Sequence, residues 1–600
     1  MLDIFDYLVI GFYFVFLVSV GFAFKHLNKG GFEYFAGGCK MNWWLLGASS
    51  LVSNFSAWSF TGAASIAYSY GTIFFAISFA DILGFAISYL WFGARFRRLR
   101  LVTAMDAVRL RFGKANEQFF AWLQILTAYF AGAVWLVGLS VIMSSVLGIN
   151  QVPIIAVSGI AIVILASVGG KWGVTANDFV QLVLLISCAA TVSVLTIHRV
   201  GGLSEFISQV PTDHWNPFRS LGSIKYDWFY VVSLLIWGIY QKNSIVFGAA
   251  KYIMAKDDRH AAKSALVPLI GYLFLPLFWF IPAVGATMLV PDLMTQYAHF
   301  NNPAEASYIA VCLAVLPSGM MGLMVAALFA ATMSSMDTAL NVNAGFIVKN
   351  IYQPLFRPTA SEWHLLRAGQ VATVFSGTVI VLLAILIVTG GTLSLFDAYL
   401  YLNAYIQAPL TVCLFMGVFV RRTPAWSGWS SVIFGILTTI FIYDVVPTEF
   451  MRTTLTPLLG DRWYEYLVTN KFTFTNVLTV PLTTLFFFGT RSFATGHQTT
   501  ALDEFSRRLD TPVDFEKEVG GDNTATQATV IGALCMIYGA SVGLGALLIP
   551  NPLLGRMALA GCASLMGVVG LGLFLYGRKA RVDLPPYPSA TPTPSSRKDL

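Results

Sequence analysis

The sequence predicts an all-α polytopic membrane protein of about fifteen crossings, and three observations predict it. Charged residues make up 11% of the 600-residue chain, against about 25% in a soluble protein, while the AVILMFWYC set makes up 56%. Apolar runs of about 20 residues, the length that spans a bilayer, recur from end to end. Two of these runs are broken mid-way by polar residues and lie five crossings apart, as an inverted five-helix repeat requires. A soluble fold could not hide so much apolar surface, because its exterior needs charge. Nucleic-acid binding is excluded as the reason for the net charge of +7, which the loops explain.

In order, the crossings are placed at 3–24, 43–70, 72–94, 117–147, 151–168, 174–197, 228–249, 264–289, 319–348, 366–389, 395–419, 425–445, 473–490, 527–549 and 553–577. The stretch 304–317 is too short to span and is expected in the interface. With the N-terminus outside, 29 of the 37 Lys and Arg residues fall in inside segments or at span ends bordering them, 7 in outside segments or at span ends bordering them, and Lys242 falls well within a span. The positive-inside rule therefore predicts N-out and C-in. The densest cluster is Arg95, Arg97, Arg98, Arg100, Arg109, Arg111 and Lys114, to which orientation is assigned. No cleavable signal peptide is expected, since Asp3 and Asp6 stand where one would be basic.

The chain then divides into a first helix with its cytoplasmic loop (1–42), an inverted-repeat core (43–420, spans 2–6 and 7–11), two further helices (421–491), a charged cytoplasmic loop able to hold a short surface helix (492–526), two C-terminal helices (527–577) and a tail (578–600). The tail is rich in Pro, Ser and Thr and is expected to be disordered. Six scattered cysteines, Cys39, Cys188, Cys312, Cys413, Cys535 and Cys562, show no metal or redox spacing and read as small core residues.

Polar residues inside a membrane are costly, so each is a functional candidate. In the second span, Ser49, Ser50, Ser53, Asn54, Ser56, Ser59 and Thr61 crowd the middle between Gly47 and Gly62. Close helix packing is one explanation; a helix that unwinds and frees carbonyls for a cation or solute is the other. In the ninth span, Ser334, Thr338 and Asn341 share one helix face, flanked by Ser335 and Asp337. Hydroxyls and a carboxylate form a hard-oxygen surface suited to Na⁺. Asp178 lies about one turn inside the sixth span, as either a boundary carboxylate or an ion ligand. The third span carries Asp81, and the seventh is interrupted by Gly238, Tyr240, Gln241, Lys242, Asn243 and Ser244. Asp81 and Lys242 either pair with each other or meet a solute.

These residues resemble the sodium/solute symporter family, which includes sodium–sugar, sodium–proline and sodium–sialate transporters. Four motifs carry the resemblance: GASSLVSNFSAWSFTG in the second span, GGKWGVTANDFVQ entering the sixth, AALFAATMSSMDTALN in the ninth, and VCLFMGVFVRRTPAWSGWSSVIFG at the junction of the eleventh and twelfth. It covers roughly residues 1–490. It implies a LeuT-type core and a main Na⁺ site between the second and ninth spans, with carbonyl ligands from Val52, Phe55 and Ala331 and hydroxyls from Ser334 and Ser335. A second Na⁺ site, found in some members, would draw on Asp178, Ser334, Asp337 and Thr338; a carboxylate at 337 departs from the usual serine-like residue. The presence of both carboxylates favours two ions. Asn54, Ser56, Trp58 and Ser59 fall on the substrate face of the second span, and Ser78 and Asp81 at sugar-contact positions of the third. Trp58 and Ser56 look like the proline-transporter pattern, whereas Ser59 and Ser78 replace a glutamine and a glutamate of the sugar type. The arginine that sialate carriers use is absent from the fourth span.

The expected function is Na⁺-coupled import of a small polar organic solute by alternating access, with a sugar-like solute favoured. An amino acid or carboxylate substrate and proton coupling through Asp178 or Asp337 are the alternatives. A sensor is disfavoured because no signalling domain follows the core, and a channel because two interrupted helices suit alternating access. An enzyme is disfavoured because no histidine sits mid-span and no nucleophile has a visible base. Trp58 and Tyr240 are candidates to stack on the solute, with Gln241 and Lys242 beside them. No organic cofactor, nucleic acid or obligate protein partner is expected. The partners are the solute and the bilayer, in a bacterial inner membrane or a plasma membrane.

Overall fold

The computed structural model describes residues 2–25, 37–217, 227–298, 300, 302–390, 401–420, 422–494 and 499–582. The start of the eleventh span (395–400) and most of the tail lie outside the described residues. Among the described residues the architecture is helical, and one isolated parallel bridge joins Met41 to Ala255. Ten helices among the described residues are long and apolar enough to cross a membrane, and five shorter apolar helices accompany them.

The elements that frame the site are α1 (Ile4–Lys25), α2 (Trp43–Val52), α3 (Ala57–Phe60), α4 (Gly62–Tyr70), α5 (Phe75–Ile87), α6 (Lys114–Leu147), α7 (Gln151–Val200), α8 (Trp228–Asn243), α9 (Ile245–Tyr252), α10 (Leu266–Leu289), α11 (Met320–Gly345) and α12 (Glu362–Gly390). The second expected crossing is thus three pieces. Ser56 is fully extended (φ −143°, ψ 179°) and caps α3 by accepting from Trp58 N–H, and Thr61 (φ −120°, ψ −82°) breaks the chain again. The seventh breaks at Ser244 (φ −74°, ψ 152°). Both breaks fall where the sequence interrupts its apolar runs with hydroxyls and amides, which compete with the helix for backbone bonds.

The fifth and sixth expected crossings form one helical element, α7, of 50 residues. A straight helix of that length would reach about 75 Å, more than twice the hydrocarbon thickness of about 30 Å. Its contacts show that it doubles back. α10 and α12 both start at the end of the molecule carrying Arg98 and Thr103, which bond Asp258 and Asn350. The first half of α7 descends towards that end: a side chain at Gly159 would meet Val381, and Ser167 C=O accepts from Gln370 Nε2 (3.5 Å), nearer the start of α12. The second half climbs away: Asp178 meets Ser334, and Thr196 lies against Gly285 near the far end of α10. The reversal falls between Ser167 and Asp178, where the sequence separates two crossings.

Three shorter helices differ from expectation. Residues Ser307–Val315 form a helix that is buried, Tyr308 packing on Phe60 with ring centroids 5.0 Å apart, instead of lying at the lipid interface. Two helices between the twelfth and thirteenth crossings, Glu449–Leu459 and Asp461–Thr469, are not evident from hydropathy because both are polar. The 492–526 loop does hold a surface helix, Thr499–Asp510, with Phe505 and Leu509 buried. The basic cluster also makes structural contacts. Arg100 forms a bidentate pair with Glu518 (2.6 and 2.7 Å), and buried Arg111 donates to the carbonyls of Gly417 and Val420. All six cysteines are buried thiols.

Candidate functional site

Between the broken helices lies a cavity of about 330 Å³, at the small end of the range of about 300–1,000 Å³ for small-molecule sites. Asn54, Ser56, Trp58 and Ser59 line it from the break and α3, Ser78 and Asp81 from α5, and Gln241 and Lys242 from α8. The short α3 can point Trp58 and Ser59 inward because its backbone is held from behind: Ala57 N–H donates to Thr332 Oγ1 on α11 (3.0 Å), and Gly138 on α6 leaves room for the chain, a side chain there meeting Trp58 N at 3.3 Å.

Lys242 and Asp81 pair with each other, Nζ to Oδ1 3.2 Å. The ammonium also donates to Asn54 Oδ1 (2.6 Å) and lies 5.3 Å from the centre of the Phe85 ring. Gly84 and Gly238 allow this close approach, since a side chain at Gly84 would meet Lys242 Cγ at 2.8 Å. Tyr240 does not line the cavity. It sits two residues from Lys242 on a helix, so it points elsewhere, packing on Phe415 and bonding Thr484.

The cavity also contains amides that the sequence reading does not single out. Gln124 Oε1, Gln407 Oε1 and both side-chain polar atoms of Asn343 are buried at its wall without a protein hydrogen-bond partner. Gln407 is presented by a π-helical turn, Asn403–Gln407, in the eleventh crossing. Their only sequence signal is an amide within an apolar run.

Below the cavity, the break in the second crossing meets α11. Ser335 Oγ donates to Phe55 C=O (2.7 Å) and lies 3.3 Å from Ala331 C=O, so three of the five main-site candidates converge. Val52 ends α2 beside them and is fully buried. Ser334 turns the other way and donates to Asp178 Oδ1 (2.6 Å). It remains within 3.3 Å of Ser53 Oγ, which also contacts Thr338 (3.1 Å).

Asp178 is fully buried and accepts from both Ser334 and Ser49, so it is no solvated boundary carboxylate. Beside it stands a residue the sequence reading assigns to a cytoplasmic loop. Lys251, near the end of α9, donates to Ser49 Oγ (2.6 Å), Ser53 Oγ (3.2 Å) and Thr338 Oγ1 (3.3 Å), with Asp178 Oδ2 at 3.9 Å. Lys171, also assigned to a loop, is buried and interacts electrostatically with Asp178 and Asp337. Asp337 is buried within electrostatic reach of Asp178 and Lys171, with one oxygen, Oδ1, that no protein donor reaches. Hydropathy hides both lysines, because each lies just beyond an apolar run while its long stem carries the charge inward.

The chain matches the description "Sodium:solute symporter family" over residues 34–435. It is 24% identical over 446 residues to the "Sodium/sialic acid symporter SiaT" of Proteus mirabilis, covering 72% of this chain and 88% of that one. To the "Sodium/glucose cotransporter" of Vibrio parahaemolyticus it is 24% identical over 498 residues, covering 78% and 89%. To the "Sodium/myo-inositol cotransporter 2" of Sus scrofa it is 26% identical over 479 residues, covering 72% and 68%. Among solved structures, that described as the "Substrate-bound outward-open state of a Na+-coupled sialic acid symporter" is similar with a TM-score of 0.64 and 21% identity, covering 80% of this chain and 98% of that one. The likeness extends to the fold.

Proposed function

The chain belongs to the sodium:solute symporter family, and from that premise we propose that it imports a neutral, polyhydroxylated solute together with Na⁺. It is a multi-pass membrane transporter and not an enzyme. The observation that carries the choice of solute is the Asp81–Lys242 pair at 3.2 Å. With its carboxylate and ammonium satisfied by each other, that part of the pocket is close to neutral, and neither end of a zwitterion has a free counter-charge there. The unpartnered oxygens of Gln124 and Gln407 accept from hydroxyls, and Ser59 and Ser78 offer both donors and acceptors. Trp58 supplies an apolar face for a sugar-like ring.

In this reading Na⁺ is held by the carbonyls of Val52, Phe55 and Ala331 and the hydroxyls of Ser334 and Ser335. The approach of Ser335 to Phe55 and Ala331 supports the set: its hydroxyl turns from donating to a carbonyl to ligating an ion between them. The ion then joins the broken second crossing to α11, so that its binding favours one arrangement of the two and couples to solute binding in the cavity above. The two interrupted helices, five crossings apart, support a LeuT-type inverted repeat and alternating access. The end carrying Arg98 and Arg100 is then the cytoplasmic side.

The test is thermal stabilisation of the purified protein by a panel of sugars, polyols, sugar acids and amino acids, in NaCl and in KCl. A neutral polyol or sugar that stabilises only in NaCl is expected. Stabilisation by an amino acid or sugar acid alone would overturn the solute class, and equal effects in both salts would overturn Na⁺ coupling.

A further inference from the structure

Resting on the reading of the main Na⁺ site above, we propose that the Lys251 ammonium is the resident cation of the second cation position, so that the transporter binds a single Na⁺. The residues that would make up a second site are Asp178, Ser334, Asp337 and Thr338. Lys251 already addresses this group: its nitrogen is 3.3 Å from Thr338 Oγ1 and 3.9 Å from Asp178 Oδ2. Its two other protons go to Ser49 Oγ (2.6 Å) and Ser53 Oγ (3.2 Å). An ammonium has three protons and no lone pair, so three hydroxyl acceptors satisfy it completely.

Charge points the same way. Asp178, Asp337, Lys171 and Lys251 are 1%, 3%, 4% and 9% exposed, two carboxylates against two ammoniums. The cluster is electroneutral before any ion enters. A further Na⁺ would stand a few ångströms from a fixed ammonium in a low-dielectric interior, where like charges repel strongly. The main site does not conflict in this way: none of the four acceptors of Lys251 is a main-site carbonyl or Ser335. The lysine also does the mechanical work of an ion. From α9 it joins Ser49 and the helix break at Ser53 to Thr338 on α11 and Asp178 on α7, tying four elements to one positive charge.

The experiment is equilibrium ²²Na⁺ binding to the purified full-length protein in nanodiscs, with choline as the balancing cation. Wild type is expected to saturate at one ion per chain. Lys251→Met leaves the cluster one positive charge short around intact oxygen ligands, and is expected to saturate at two, with a sigmoidal isotherm. Two ions bound to wild type overturns the proposal while leaving the main-site reading intact. So does a Lys251→Met protein that still binds one. No saturable binding to wild type overturns the main-site reading and this proposal with it. The wild-type count decides even if Lys251→Met does not fold.

Discussion

Lys242 on α8 and Asp81 on α5 neutralise each other across the wall of the cavity, 3.2 Å apart and each largely buried. Removing either partner strands the other. Lys242→Gln or Asp81→Asn alone is expected to cost up to about 3 kcal/mol, read as a drop in melting temperature. The double variant should recover most of that loss and keep affinity for a neutral solute within about tenfold of wild type. A double variant as unstable as the singles would show that the pair is not the interaction that matters.

The close approach behind that lysine is also testable. A methyl group added at Gly84 would lie 2.8 Å from Lys242 Cγ and 3.1 Å from Gly238 C=O, neither able to retreat freely. Gly84→Ala should cost about 1–3 kcal/mol and weaken solute binding, while Gly567→Ala, where nothing lies within 4 Å, serves as the control. Equal melting temperatures for the two variants would count against the packing described.

At the proposed main Na⁺ site, Ser335→Ala and Ser334→Ala should each raise the Na⁺ concentration for half-maximal stabilisation by roughly tenfold, about 1.4 kcal/mol. Ser335→Ala removes bonds to the carbonyls of Ser53, Phe55 and Ala331 but none to Asp178. Ser334→Ala also removes a hydrogen bond to Asp178 and should lower the melting temperature in Na⁺-free buffer. Unchanged Na⁺ titrations in both variants would remove the assignment.

Much of this site is legible in the residue pattern. The run of hydroxyls from Ser49 to Thr61 marks the break at 53–56, and the polar stretch from Gln241 to Ser244 marks the one at Ser244. Both are local effects, in which side chains or an interrupted apolar run disturb the helix that contains them. The sequence also brings Asp81 and Lys242 into question together, but only packing decides that they pair. What escapes is reach. Lys171 and Lys251 sit at the ends of apolar runs, where counting charge per loop makes them cytoplasmic, yet each side chain runs back into the protein. Tyr240 fails for the opposite reason: its neighbours point into the cavity, but the turn of the helix carries it onto Phe415.

The balanced cluster makes its own prediction. Lys171→Met leaves two buried carboxylates against one ammonium and is expected to destabilise the protein by about 3–5 kcal/mol. Adding Asp337→Asn restores the balance and should return most of the stability. Differential scanning fluorimetry of the wild type, the single variant and the double variant checks this. A double variant no more stable than Lys171→Met would break the link between the two residues.

A cation fixed to the chain does no work when it moves down a gradient, because it never leaves. With about 100 mV of membrane potential and a tenfold Na⁺ gradient, each entering ion supplies about 3.7 kcal/mol, enough for roughly 500-fold accumulation of a neutral solute. A second ion would raise that ceiling to the order of 10⁵-fold. On the proposal that Lys251 stands where that ion would sit, the protein trades steep accumulation for economy, with one Na⁺ entering per solute. Such a carrier suits a solute that is plentiful outside or consumed quickly inside, and it suits a cell whose sodium gradient must serve many other transporters.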